Sequence, residues 1–171
     1  MYPSVTTDFT DENYSALLMG ETSGNYNPAG GRPFSDGTAS SIAVDVPDLI
    51  TSADKELVIP VNVQGAAHKE IISYEFDLRY DPAVIQPLLS PADVAGTVSR
   101  GLVLVTNAEE PGLLRVVVYG PMPIDENGVL LNLRFTAVGT PGSASPLTFE
   151  RIMFNEDAPS AIANGRIVIS Y

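Results

Sequence analysis

Residues 71–89 read IISYEFDLRYDPAVIQPLL. From Ser73 to Tyr80 polar and apolar residues alternate, with Tyr74, Phe76, Leu78 and Tyr80 on one face and Ser73, Glu75, Asp77 and Arg79 on the other. A period of two is the signature of a half-buried strand. Asp81-Pro82 then stops the ladder, because proline has no N–H to donate, and Val84, Ile85, Leu88 and Leu89 open a second apolar run. Such a strand gives one row to a core and displays the other. If the sheet surface is the working part, Ser73, Glu75, Asp77 and Arg79 lie at its centre.

Working outward, turn residues punctuate short apolar or alternating runs from residue 42 onward, a pattern that predicts an all-β sandwich. Nine strands are expected, near 42–46, 56–64, 71–80, 84–89, 102–107, 113–119, 129–138, 147–154 and 166–170. Inside this domain the one stretch suited to a helical turn is SPADVAG, residues 90–96, where Pro91 fits a first helical position. The loop NAEEPG is short enough to join 102–107 to 113–119 as an antiparallel hairpin. Counting outward from it, Leu102, Leu104 and Thr106 are expected to share the displayed face with Leu113, Arg115, Val117 and Tyr119. Val103, Val105, Leu114, Val116 and Val118 are expected to point inward. The displayed set is too apolar for a face that meets only water, and an apolar patch of this kind usually has a partner.

Residues 1–40 differ in composition: Thr, Ser, Asn, Gly, Asp and Pro dominate, around one apolar knot at Ala16, Leu17, Leu18 and Met19. Residues 8–21 are suited to a short helix with Thr10 or Asp11 as N-cap and Gly20 closing it, and residues 24–41 have linker composition. The expected organisation is a mostly irregular extension over 1–40 followed by one globular domain over 41–171. With nine Lys plus Arg against 21 acids the net charge is −12, which disfavours nucleic acid and anionic membrane surfaces as partners. Cysteine is absent, which removes disulfides, thiol nucleophiles and thiolate metal sites. No apolar run approaches the roughly 18 residues of a membrane span, and residues 1–40 contain no basic segment followed by a long apolar one, so neither membrane insertion nor a leader within them is expected.

In their order and spacing LVIPVNVQG (57–65), SYEFDLRYDPAVI (73–85), EPGLLRVVVYG (110–120), NGVLLNLRFTAVGTPGSASPLTF (127–149) and NGRIVIS (164–170) resemble a cohesin module. The resemblance implies a nine-stranded jelly-roll β-sandwich with its first and last strands side by side. It implies binding of a dockerin, a small helical module that carries its own calcium, on the sheet built from 147–154, 71–80, 113–119 and 102–107. Matched to the polar pair that contacts the dockerin in that family are Ser73 and Glu75, where the best-known members carry Asn and Asp. Val117 and Tyr119 match its apolar positions, and Gly120 falls where some members place an acid. Residues 1–27 resemble the close of an upstream module in multimodular surface proteins; no D-x-[DN]-x-[DN]-G calcium loop occurs in them.

Chemistry competes poorly with this reading. His68 is the only histidine and sits in a polar turn, and no serine occupies a G-x-S-x-G elbow. Glu75 and Asp77 are about 7 Å apart on one strand face, within the roughly 5 to 9.5 Å of glycosidase pairs, yet an open sheet does nothing to raise one carboxyl. The acidic turns Asp125-Glu126-Asn127 and Asn155-Glu156-Asp157 have oxygens for calcium, but such turns commonly form without metal, so no metal or cofactor is expected. A carbohydrate-binding sandwich is the alternative; its stacking platforms favour Trp, which is absent. The expectation is a monomeric, non-catalytic module of a secreted or cell-surface protein, whose bare edge strand suits pairing of two copies in a crystal. Its partner-binding residues are Ser73, Glu75, Asp77, Arg79, Leu104, Thr106, Arg115, Val117, Tyr119 and Gly120.

Overall fold

A computed structural model describes residues 42–171. The expected helix over 8–21, the linker over 24–41 and the boundary near residue 40 lie outside the described residues. In chain order the strands are β1 (Ala43–Asp45), β2 (Leu49–Thr51), β3 (Glu56–Gln64), β4 (Ile71–Arg79), β5 (Ile85–Asp93) and β6 (Val103–Asn107). They continue with β7 (Leu113–Ile124), β8 (Gly128–Ala137), β9 (Ala144–Phe154), β10 (Ala161–Ala163) and β11 (Gly165–Ile169). One sheet runs β10-β1-β3-β8-β5 and the other β2-β11-β9-β4-β7-β6. This is the all-β sandwich that the alternation predicts, with the jelly-roll form that the resemblance implies.

The excess over nine strands has one cause at each end of the domain. The expected first strand, 42–46, forms β1, and beyond Val46-Pro47-Asp48 the chain pairs again as β2 in the other sheet. The expected closing strand, 166–170, forms β11, and an added strand β10 precedes it across Asn164, so β10 pairs parallel with β1 and β11 parallel with β2. First and last strands therefore do lie side by side, twice. Where they change sheets a Cβ on Gly165 would stand 2.5 Å from the carbonyl oxygens of both Val46 and Pro47, so this crossing has room for glycine alone.

The helical turn expected at 90–96 does not form. Pro91–Asp93 instead complete β5, Ala92 opposite Leu133 and Asp93 opposite Asn132, after an irregularity that follows Pro87. β5 is an edge strand, which tolerates Pro87 and Pro91, and extending it buries Pro91 and Ala92. Asp93 then turns the chain by accepting the Ala95 N–H at 2.7 Å, and Gly96 and Gly101 take positive φ.

The core between the sheets draws on alternate residues of every long strand: Ile59, Val61 and Val63; Tyr74, Phe76 and Leu78; Val116 and Val118; Leu131, Leu133 and Phe135. Phe76 meets Phe149 edge-on at 5.4 Å and Tyr80 meets Phe135 at 5.1 Å. The Tyr74 hydroxyl reaches Ser99 Oγ at 2.9 Å and the Leu130 carbonyl at 3.3 Å, which satisfies a phenol that would otherwise be costly to bury. Burial pushes that phenol well above its ordinary value, with the Ser99 hydrogen bond opposing. The Tyr74 row is thus committed to the core, and the opposite row of β4 is fixed outward.

Candidate functional site

Cross-strand register builds the displayed face of β9-β4-β7-β6 rung by rung. Ser73 lies beside Tyr119, which lies beside Val103; Glu75 beside Val117, then Val105; Asp77 beside Arg115, then Asn107. On the other side Met153 flanks Glu75, Arg151 flanks Asp77 and Thr148 flanks Arg79. Directly opposed residues share a face, so the surface divides lengthwise. The β6–β7 half is apolar, with Val103 47%, Val105 50%, Val117 38% and Tyr119 47% exposed. The β4–β9 half is charged.

Six of the expected residues, Ser73, Glu75, Asp77, Arg115, Val117 and Tyr119, converge on this face, and Arg79 closes its charged end. Leu104 and Thr106 do not. Pairing of Val103 with Tyr119 and Asn107 with Arg115 places Leu104 and Thr106 on the core side, Leu104 packed against the core, and Val103, Val105 and Asn107 outward. The expected register was one residue out, and one residue exchanges the two faces of a strand. The turn decides it: Asn107 Oδ1 accepts the Glu109 N–H, Glu110 O accepts the Leu113 N–H, and Gly112 takes φ 85°. Leu113, also expected outward, is buried. At Gly120 a Cβ would stand 2.5 Å from Leu102 Cδ2, so the backbone there lies close against that side chain. Beyond it residues 120–123 bulge opposite Ile72, and both Ile72 and Met122 are exposed at that end of the apolar half.

The charged half is internally paired. Arg79 donates to Glu150 from Nε at 2.8 Å and to Glu110 from Nη1 at 3.1 Å. Arg115 donates to Glu110 from Nη2 at 3.1 Å and places Nε 4.0 Å from Asp77. Arg151 meets Glu75 at 2.5 Å. Hydrogen bonding from Arg79 holds the Glu110 carboxyl below its ordinary range; desolvation opposes this and Arg115 adds to it. Sequence reasoning missed Arg151, Glu150 and Met153. The signal was present: two adjacent charged residues interrupt the alternation of LTFERIMF, and a bulge opposite Asp77 and Leu78 is what lets both point outward.

Three of the turn residues weighed as calcium ligands, Asp125, Asn127 and Asn155, bind backbone. Asp125 accepts the His68 N–H, Asn127 the Ala66 N–H at 3.0 Å, and Asn155 Oδ1 the N–H groups of Ile72 and Ser73 at 3.0 and 3.2 Å. His68 itself is a solvated turn residue, 92% exposed, at positive φ.

Among solved structures the chain is similar to the sixth cohesin of scaffoldin B from Acetivibrio cellulolyticus, in complex with a Cel5 dockerin variant. The TM-score is 0.65 at 20% identity over 75% of this chain and 99% of that one. It is also similar to a non-cellulosomal cohesin from the archaeon Archaeoglobus fulgidus, with TM-score 0.63 at 16% identity over 77% and 92%. A type III cohesin of the cell-surface anchoring scaffoldin ScaE from Ruminococcus flavefaciens gives TM-score 0.61 at 15% identity over 82% and 94%. None of the curated proteins compared with the sequence matches it. The family model described as cohesin domain matches residues 42–169, nearly the whole of the described sandwich. The chain belongs to the cohesin domain family.

Proposed function

We propose that residues 42–171 form a non-catalytic module that binds a calcium-loaded dockerin on the β9-β4-β7-β6 face. The observation that carries this reading is the exposed strip Val103, Val105, Val117 and Tyr119, contiguous along two paired strands and bordered by charge. A desolvating apolar centre beside a polar rim is the anatomy of a protein interface. A sugar platform needs aligned aromatics, and Tyr119 is the one aromatic on this face among the described residues. Dockerin complexes of similar cohesins, such as that with the Cel5 dockerin, support the same partner class. The module acts within a secreted or cell-surface protein, with residues 1–40 as the tail of an upstream module and a linker.

The test is calorimetric titration of the chain with calcium-loaded dockerins encoded in its source. Val117→Asp and Tyr119→Ala are each expected to weaken binding by about 2 kcal/mol or more, because a few desolvated anchors dominate such interfaces. Both positions are exposed, so unfolding transitions should stay in place. Undiminished affinity in both variants would move the partner to another surface.

A further inference from the structure

Arg151 leans away from the residue it faces. Its register neighbour on β4 is Asp77, but its Nη2 lies 2.5 Å from Glu75 Oε1 and 3.3 Å from Met153 Sδ. Glu75, the carboxylate that borders the apolar strip through Val117, is therefore already engaged by a guanidinium before any partner arrives.

A guanidinium carries five N–H donors. Among the described residues both contacts of Arg151 use Nη2, which leaves the Nε hydrogen and both Nη1 hydrogens to water. Its side chain is 59% exposed, against 38% for Glu75 and 31% for Asp77, so a partner laid flat on the sheet meets guanidinium before carboxylate. Covering those donors strips their water, and a charged donor buried without an acceptor costs more than most contacts return. The partner must therefore bring oxygen. Arg79 shows on the same face what kind: it holds two carboxylates at once, Glu150 through Nε and Glu110 through Nη1. Arg151 offers the same two donor nitrogens, Nε and Nη1, with one carboxylate already in place on Nη2. A lysine or arginine opposite it would meet like charge and leave the donors unpaired.

Resting on the dockerin reading, we propose that Arg151 is a specificity-determining residue: it selects partners that place an Asp or Glu beside the Val105–Val117 strip and rejects those with Lys or Arg there. The test uses a calcium-loaded Cel5 dockerin displayed on yeast, with the exposed positions of its helices randomised. The library is sorted against the full chain, against Arg151→Glu and against Arg151→Gln, each checked by thermal unfolding. Among binders of the native chain, acidic residues should outnumber basic ones at one helix position by about tenfold, the factor a charge-assisted hydrogen bond supplies. The ratio should invert with Arg151→Glu and flatten with Arg151→Gln. A ratio indifferent to residue 151 overturns the proposal and leaves dockerin binding standing. A library without binders to any of the three chains overturns dockerin binding and the proposal together.

Discussion

Glu110 sits in the β6–β7 turn, yet it joins two strands of the displayed face, accepting from Arg79 on β4 and Arg115 on β7. Its carboxyl is held below the ordinary value of 4.5, chiefly by the Arg79 hydrogen bond. A depressed carboxyl stabilises the fold fully above the unfolded value and loses that contribution as pH falls through the folded one. The group is exposed, so the effect is small and salt-sensitive. The expected outcome is a thermal midpoint that drops between about pH 6 and about pH 3 slightly more in the native chain than in Glu110→Gln, with the difference fading in high salt. Identical drops would show that the turn is held by its backbone alone.

At the scale of the element, β6 is the instructive strand. LVLVTN is apolar at alternate and adjacent positions alike, so it carries no contrast from which to read a face. Its orientation follows from the Asn107–Leu113 turn and from what β7 presents to it. A pair of substitutions reports that register. Leu104→Asp puts a charge against the core and is expected to cost about 2 to 3 kcal/mol in urea denaturation. Val105→Asp should stay within about 0.5 kcal/mol of the native chain while losing partner affinity. Exchange of these two outcomes would restore the register expected from loop length. Strand β9 holds the opposite lesson, because its adjacent Glu150 and Arg151 do break the alternation and do mark a bulge.

At the scale of the whole molecule, closure depends on pairing the first strands with the last. β1 and β2 meet β10 and β11 across the full length of the domain sequence, and both pairs change sheets at one crossing. Gly165 stands there with two carbonyl oxygens where a Cβ would go. Those are backbone atoms and cannot rotate aside, so Gly165→Ala is expected to destabilise by about 1 to 3 kcal/mol, read as a lower thermal midpoint. A midpoint unchanged from the native chain would mean that the crossing is more compliant than its spacing indicates.

By itself the sequence determined the class of fold, the inward row Tyr74, Phe76, Leu78 and Tyr80, and the outward row Ser73, Glu75, Asp77 and Arg79. In each case polar and apolar residues alternate cleanly, and a period of two admits one orientation about a buried face. It also determined the outward placement of Val117 and Tyr119, which follow Arg115 outward on a strand whose other row is aliphatic. Tertiary structure alone decided that Val103 and Val105 are displayed while Leu104 and Thr106 are not, and that Arg151 reaches Glu75. The broken alternation marks the bulge at Glu150 and Arg151, but these facts depend on register and reach between strands, relations between residues distant in the chain that no local period encodes.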